Sequence, residues 1–163
     1  MIRHVHAGDI VVGGPEDELR AILGSCVAVT LWHPLRRIGV MSHIVLPAHR
    51  GARRRNGAPA EDTRFADEAW RAMQNSLRDH GISVTECQCK LFGGAQVFAS
   101  GSEVGGDNVR ALRDLLGQSG LTIVREHVEG TGHRVLRFMV GTGDVWVSHR
   151  QGAIQLPAKG FEQ

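Results

Sequence analysis

The sequence is poor in several features, and each scarcity excludes something. It holds three cysteines, Cys26, Cys87 and Cys89, in 163 residues. The number is odd, and Cys87 and Cys89 are too close in sequence for an easy bridge. A disulfide framework is therefore excluded, and the three read as thiols of a reducing compartment. No Cys-x-x-Cys pair occurs. His4 with His6, and Cys87 with Cys89, share one face of a strand if the chain is extended there. Neither pair has a matching second half-site, so no metal and no other cofactor is expected. No run approaches the ~18 apolar residues of a membrane-spanning helix. Met1 to Gly14 lacks the apolar core of a signal peptide. The expectation is a cytoplasmic chain with no membrane insertion.

Nor is there an excess of one charge. Lys and Arg number 19 against 17 Asp and Glu, a formal charge of +2. A field that weak argues against general nucleic-acid binding. The local basic cluster of Arg50, Arg53, Arg54 and Arg55 has no interleaved aromatics and no recognisable nucleic-acid module around it. It reads as a solvated loop, as a contact for an acidic partner, or as a phosphate contact. The glycine pairs 93–94 and 105–106 are not followed by Gly-Lys-Ser/Thr, which excludes a phosphate loop. Fixed-period repeats and low-complexity stretches are also missing.

What is present is the composition of an ordinary globule, 42% hydrophobic and 22% charged. The length fits one domain spanning 1–163, with about 157–163 a loose tail, and a chain this long buries about 70% of its unfolded surface. Strand patterns fall at 9–13, 19–23, 27–32 and 38–46, the last ended by Pro47. Residues 49–59 read as a loop. The spacing of Phe65, Ala69, Met73 and Leu77 predicts an amphipathic helix over 63–80, capped by Asp62 or Thr63 and closed by Gly81. A strand over 82–92 and a second helix over 108–116 follow. The second helix faces inward with Val109, Leu112, Leu115 and Leu116. Strands at 121–128, 134–140 and 145–149 complete the chain, the last two joined through a turn at 141–144. Strands in runs rather than in strict alternation with helices predict an α+β fold: mixed, sandwich-like β-sheets with two main amphipathic helices packed on the outside.

Two residues carry the chemistry. Cys26 follows Gly24-Ser25 and precedes the strand-forming run Val27-Ala28-Val29-Thr30-Leu31. A thiol at such a bend is held and exposed, glycine permits the bend, and free N–H groups of the bend can stabilise an oxyanion. Taken alone, a cysteine there is more often a small core residue. His43 lies in an otherwise apolar strand, and a thiol needs a base or an imidazolium partner to become a thiolate. The short connection over 33–37 lets the two strands pair as a hairpin, which brings the side chains together.

The run Leu23-Gly24-Ser25-Cys26-Val27-Ala28-Val29, then Trp32-His33-Pro34, then Gly39-Val40-Met41-Ser42-His43-Ile44-Val45-Leu46-Pro47, resembles the signature of the CheD family of chemoreceptor glutamine deamidases. Lys90 to Ala95 is similar to that family's glycine-glycine-alanine segment, and Gly105 to Val109 to its glycine-to-asparagine helix start. Gly130 to Arg134 and Phe138 to Val147 resemble its C-terminal hairpin. The resemblance runs over about 8–150.

It implies an amidohydrolase that converts glutamine to glutamate on methyl-accepting chemotaxis receptors. Cys26 is then the nucleophile and His43 the general base and acid. Gly24 and Ser25 shape the oxyanion loop, and Gly93, Gly94, Arg53 and Arg54 are candidate substrate contacts. It also implies a CheC-type phosphatase as a further partner. The alternative is a chemotaxis binding module with weak or lost catalysis. One departure stands out: the family's threonine before the cysteine, which orients the histidine, has no counterpart, since 18–24 holds neither threonine nor serine. A backbone carbonyl, Ser25, Ser42 or a water is left for that role.

Overall fold

The structure, a computed structural model, describes residues 1–48, 62–97 and 103–151. The loop arginines 50, 53, 54 and 55 and the tail from 157 lie outside the described residues. Nine strands and two helices are described: β1 (Ile2–His4), β2 (Ile10–Gly13), β3 (Glu18–Leu23), β4 (Val27–His33), β5 (Ile38–Ser42), α1 (Ala66–Asp79), β6 (Gln88–Gly93), α2 (Val104–Gln118), β7 (Ile123–Val128), β8 (His133–Met139) and β9 (Asp144–Arg150). They form a four-stranded sheet ordered β1-β3-β8-β9 and a five-stranded sheet ordered β2-β5-β4-β6-β7. Each is mixed: β1 runs parallel to β3, β6 runs parallel to β7, and the other neighbours are antiparallel.

The layering follows from alternation along β4 and β5. Val27, Val29, Leu31, Val40 and Ile44 turn to one side and join Ala69, Met73, Leu77, Val109, Leu112 and Leu116 of the two helices. Ala28 and Met41 turn to the other side and meet Leu19, Leu23, Leu136 and Phe138 of the four-stranded sheet. The five-stranded sheet is thus the middle layer, with helices on one face and the second sheet on the other, as the α+β reading expects. Both faces of β4 are buried, so it reads as a near-continuous apolar run. Gly39 permits the sheets to approach, because a Cβ there would sit 2.6 Å from the Phe138 ring.

Several element boundaries differ from the sequence reading. The strand expected over 38–46 ends at Ser42, and beyond it only isolated bridges at Ile44 and Leu46 remain, so His43 lies just past the strand. β1 was not expected: its three residues are exposed and are held by parallel pairing with β3. The strand expected over 82–92 starts only at Gln88, because Ser83 and Glu86 form a capping box around a 3-10 turn at Val84–Glu86. α1 begins at Ala66 rather than Thr63, and Phe65 is its N-cap with no side-chain cap bond. Gly81 does close it, at φ +72, with its N–H on the Arg78 carbonyl. α2 begins at Val104, so Gly105 and Gly106 lie inside its first turn.

Candidate active site

β4 and β5 are joined by the hairpin turn at 34–37 and are paired so that Thr30 faces Met41 and Leu31 faces Val40. An isolated bridge carries the same register on to Val27 and Ile44, which exchange N–H···O bonds of 2.9 and 2.8 Å. Val27 and Ile44 point into the helix-side core, so Cys26 and His43 point to the opposite face, toward the second sheet. In this register Ala28 lies across from His43 and Cys26 is two residues further along. The nucleophile candidate and the base candidate are diagonal cross-strand neighbours on one face.

His43 is 7% exposed. Its Nδ1 lies 2.9 Å from the carbonyl of Val5, its backbone N–H donates to Asp9, and its carbonyl accepts from Gly8. A carbonyl only accepts, so in the neutral ring Nδ1 carries the proton and Nε2 holds the lone pair. Of the candidates for orienting His43, the described contact is with a backbone carbonyl, that of Val5. Ser42 is not that partner: its hydroxyl meets the N–H and carbonyl of Val29. Neither Val5 nor its carbonyl has any mark in the sequence that would have singled it out.

Cys26 is partly buried against the inter-sheet core. That burial pushes its thiol pKa up. Burial thus favours the neutral thiol over the thiolate. Cys87 and Cys89 are raised further in kind, to about 11 and about 12, by burial with added negative charge from Glu86 and Cys87 respectively.

The loop around Cys26 is fixed from behind. The Gly24 carbonyl accepts from Ala95 N–H at 3.1 Å, the Ser25 carbonyl from Asn108 Nδ2 at 3.1 Å, and the Cys26 carbonyl from Gly94 N–H at 2.9 Å. Among the described residues, no partner takes the N–H of Ser25 or of Cys26. Both N–H groups belong to the peptides that lead into the thiol residue.

Gly93 and Gly94 have φ of +102 and +71, and a Cβ on them would lie 2.2 Å from the Cys26 carbonyl oxygen and 2.3 Å from Val109 respectively. The close approach they permit is that of the Cys26 loop and of α2. Gly94 also lines a cleft of about 490 Å³ with Gln96, Glu103, Gly106, Arg110 and Gly130. Arg53 and Arg54 lie outside the described residues. Among the described residues there is no cluster of three or more His, Cys, Asp and Glu side chains able to hold a metal ion. No described helix is long and apolar enough to cross a membrane.

The family model for CheD chemotactic sensory transduction matches residues 45–149. The chain belongs to the CheD family. Its relatives include the probable chemoreceptor glutamine deamidase CheD 2 of Albidiferax ferrireducens, 41% identical over 88% of this chain and 83% of the relative. A probable chemoreceptor glutamine deamidase CheD 3 of Dechloromonas aromatica is 37% identical over 91% of this chain and 88% of its own. The probable chemoreceptor glutamine deamidase of Pseudomonas savastanoi pv. phaseolicola is 38% identical over 93% of this chain and 87% of its own. The family-model match begins two residues after His43. The matches to relatives reach further: one spanning 93% of the chain leaves fewer residues over than precede Cys26, so it includes both Cys26 and His43.

Proposed function

We propose that this CheD-family protein hydrolyses glutamine side-chain amides to glutamate on methyl-accepting chemotaxis receptors, with Cys26 as nucleophile and His43 as base and acid. The observation that carries the mechanism is the pinned imidazole. With Nδ1–H on the Val5 carbonyl, Nε2 is the free base, on the face that also carries the Cys26 side chain. Support for the substrate comes from the relatives, whose names describe probable chemoreceptor glutamine deamidases.

His43 Nε2 takes the Cys26 thiol proton as the sulfur attacks the amide carbon. The carbonyl oxygen becomes an oxyanion, met by the free N–H groups of Ser25 and Cys26. The C–N bond breaks, His43 returns the proton to nitrogen, and ammonia leaves a thioester on Cys26. Water gives a proton to Nε2 and attacks the thioester, and the thiol leaves with that proton, releasing glutamate. Gly94, at the rim of the cleft beside α2, and Arg53 and Arg54 of the basic loop are assigned to substrate contact. The new carboxylate changes the charge of the receptor and creates a group that can be methylated.

The test uses a purified receptor cytoplasmic fragment with wild type and Cys26→Ala side by side, reading ammonia and, by mass spectrometry, glutamine converted to glutamate. Both signals are expected with wild type only. Binding by both proteins without conversion by either would replace the enzyme with a chemotaxis binding module, one for the receptor or for a CheC-type phosphatase.

A further inference from the structure

We propose that Asn108 is a positioning residue that aims the oxyanion-binding N–H of Cys26. The inference rests on the deamidase reading above and adds a residue outside the Cys26–His43 pair. Asn108 is fully buried on the inward face of α2, in a stripe otherwise made of Gly105, Val109, Leu112 and Leu116. Its Nδ2 donates to the Ser25 carbonyl at 3.1 Å and to the Val45 carbonyl at 2.9 Å. Both acceptors are carbonyls, so the amide can face the strands only with its nitrogen. Its Oδ1 is buried with no hydrogen-bond partner among the described residues. An unmatched buried oxygen is costly, and a residue that merely filled this space would not carry it.

The place is where β4 and β5 part. Val27 and Ile44 exchange the last pair of inter-strand bonds. Beyond them the N–H of Leu46 turns away to the Arg64 carbonyl. Asn108 spans the opening and ties the chain just before Cys26 to the chain just after His43.

Peptide geometry turns that tie into a function. The described residues contain no cis peptide bond, and in a planar trans peptide the C=O and the N–H point in opposite directions. The next peptide along shows the rule at work. The Cys26 carbonyl accepts from Gly94 on one side, while the Val27 N–H donates to Ile44 on the other. In the same way, Asn108 draws the Ser25 carbonyl toward α2 and so turns the Cys26 N–H away from the helix. That direction is the face on which the Cys26 and His43 side chains lie.

The experiment measures two rates on the full chain, wild type and Asn108→Ala. One is turnover of the receptor fragment. The other is alkylation of Cys26 by iodoacetamide, a displacement at carbon that builds no oxyanion. Asn108→Ala should lower kcat by about 10²-fold, the scale of losing one oxyanion donor, with KM and the alkylation rate little changed. An unchanged kcat overturns the proposal. So does a parallel fall of both rates, which is what a purely structural role gives.

If Asn108→Ala does not fold, the wild type decides. A receptor peptide with a side-chain aldehyde at the glutamine position adds the Cys26 sulfur to its carbonyl carbon, and the thiol proton goes to His43 or to the new oxygen. The Cys26 amide proton, followed by NMR in labelled protein, should then move strongly downfield, and a stationary resonance overturns the proposal. A wild type that binds the fragment and releases no ammonia sinks the deamidase reading, and with it this one. A wild type that turns over while Asn108→Ala matches it sinks this one alone.

Discussion

The 2.9 Å contact between His43 Nδ1 and the Val5 carbonyl leaves the lone pair of the neutral ring on Nε2, the base in the proposed mechanism. Its consequence is a difference among three thiols. Cys26 is raised by burial alone and shares a sheet face with the imidazole, whereas Cys87 and Cys89 are raised to about 11 and about 12 and have no such partner. Cys26 should therefore be alkylated first in the folded protein, and His43→Ala should slow that reaction by about 10²-fold, the scale of losing a general base. Site-resolved mass mapping after brief iodoacetamide treatment checks both, and equal labelling of all three thiols would break the pairing of Cys26 with His43. Cys26 and His43 stand out as candidates in the sequence because thiol and imidazole are chemically distinctive beside apolar strands. Val5 was not, because it contributes a carbonyl that any residue offers. Asn108 left a faint trace, a polar side chain at an apolar position of a helical stripe.

Among elements, the strands with strong alternation and the two amphipathic helices were legible, and the hairpin of β8 and β9 was too. What the pattern missed was settled by contacts. Gly105 precedes the helix expected over 108–116, yet it stands in the first turn of α2, where a Cβ would lie 2.5 Å from the carbonyl oxygens of Gly94 and Ala95. β1 exists through backbone pairing with β3, which leaves no side-chain signature.

β3 and β8 are joined further by charge. Glu18 accepts from Arg20 Nε at 2.7 Å and, across the strands, from Arg137 Nε at 2.6 Å. The Arg137 and Arg20 guanidiniums hold the Glu18 carboxyl down at about 2, from an ordinary 4.5. A depressed carboxylate stabilises the fold above the unfolded value, and that contribution is lost as pH falls from 4.5 toward 2. Urea midpoints should therefore drop for wild type between pH 6 and pH 3. Glu18→Gln should start lower at pH 6 and fall less. Parallel lines for the two proteins would place the acid sensitivity elsewhere.

At the scale of the whole molecule, both helices cover one face of the five-stranded sheet, and the active-site face lies between the two sheets. The proposed site is small, and the substrate named for the relatives is a chemoreceptor, a protein, so recognition has to reach beyond Cys26 and His43. With a formal charge of only +2, the molecule as a whole exerts a weak field, and electrostatic recognition has to come from a local concentration of charge. Arg50, Arg53, Arg54 and Arg55 are the densest such group in the sequence, and replacing all four by glutamine takes the formal charge from +2 to −2. Interactions between exposed charges are screened within about 10 Å at 0.1 M salt and about 3 Å at 1 M. The quadruple variant should thus raise KM for the receptor fragment at low salt, and the two proteins should converge at high salt. Its iodoacetamide rate at Cys26 should match wild type at both, because alkylation needs no receptor contact. A KM that is equal at low salt would make the arginines solvated surface and leave recognition to the cleft lined by Gly94, Gln96 and Arg110.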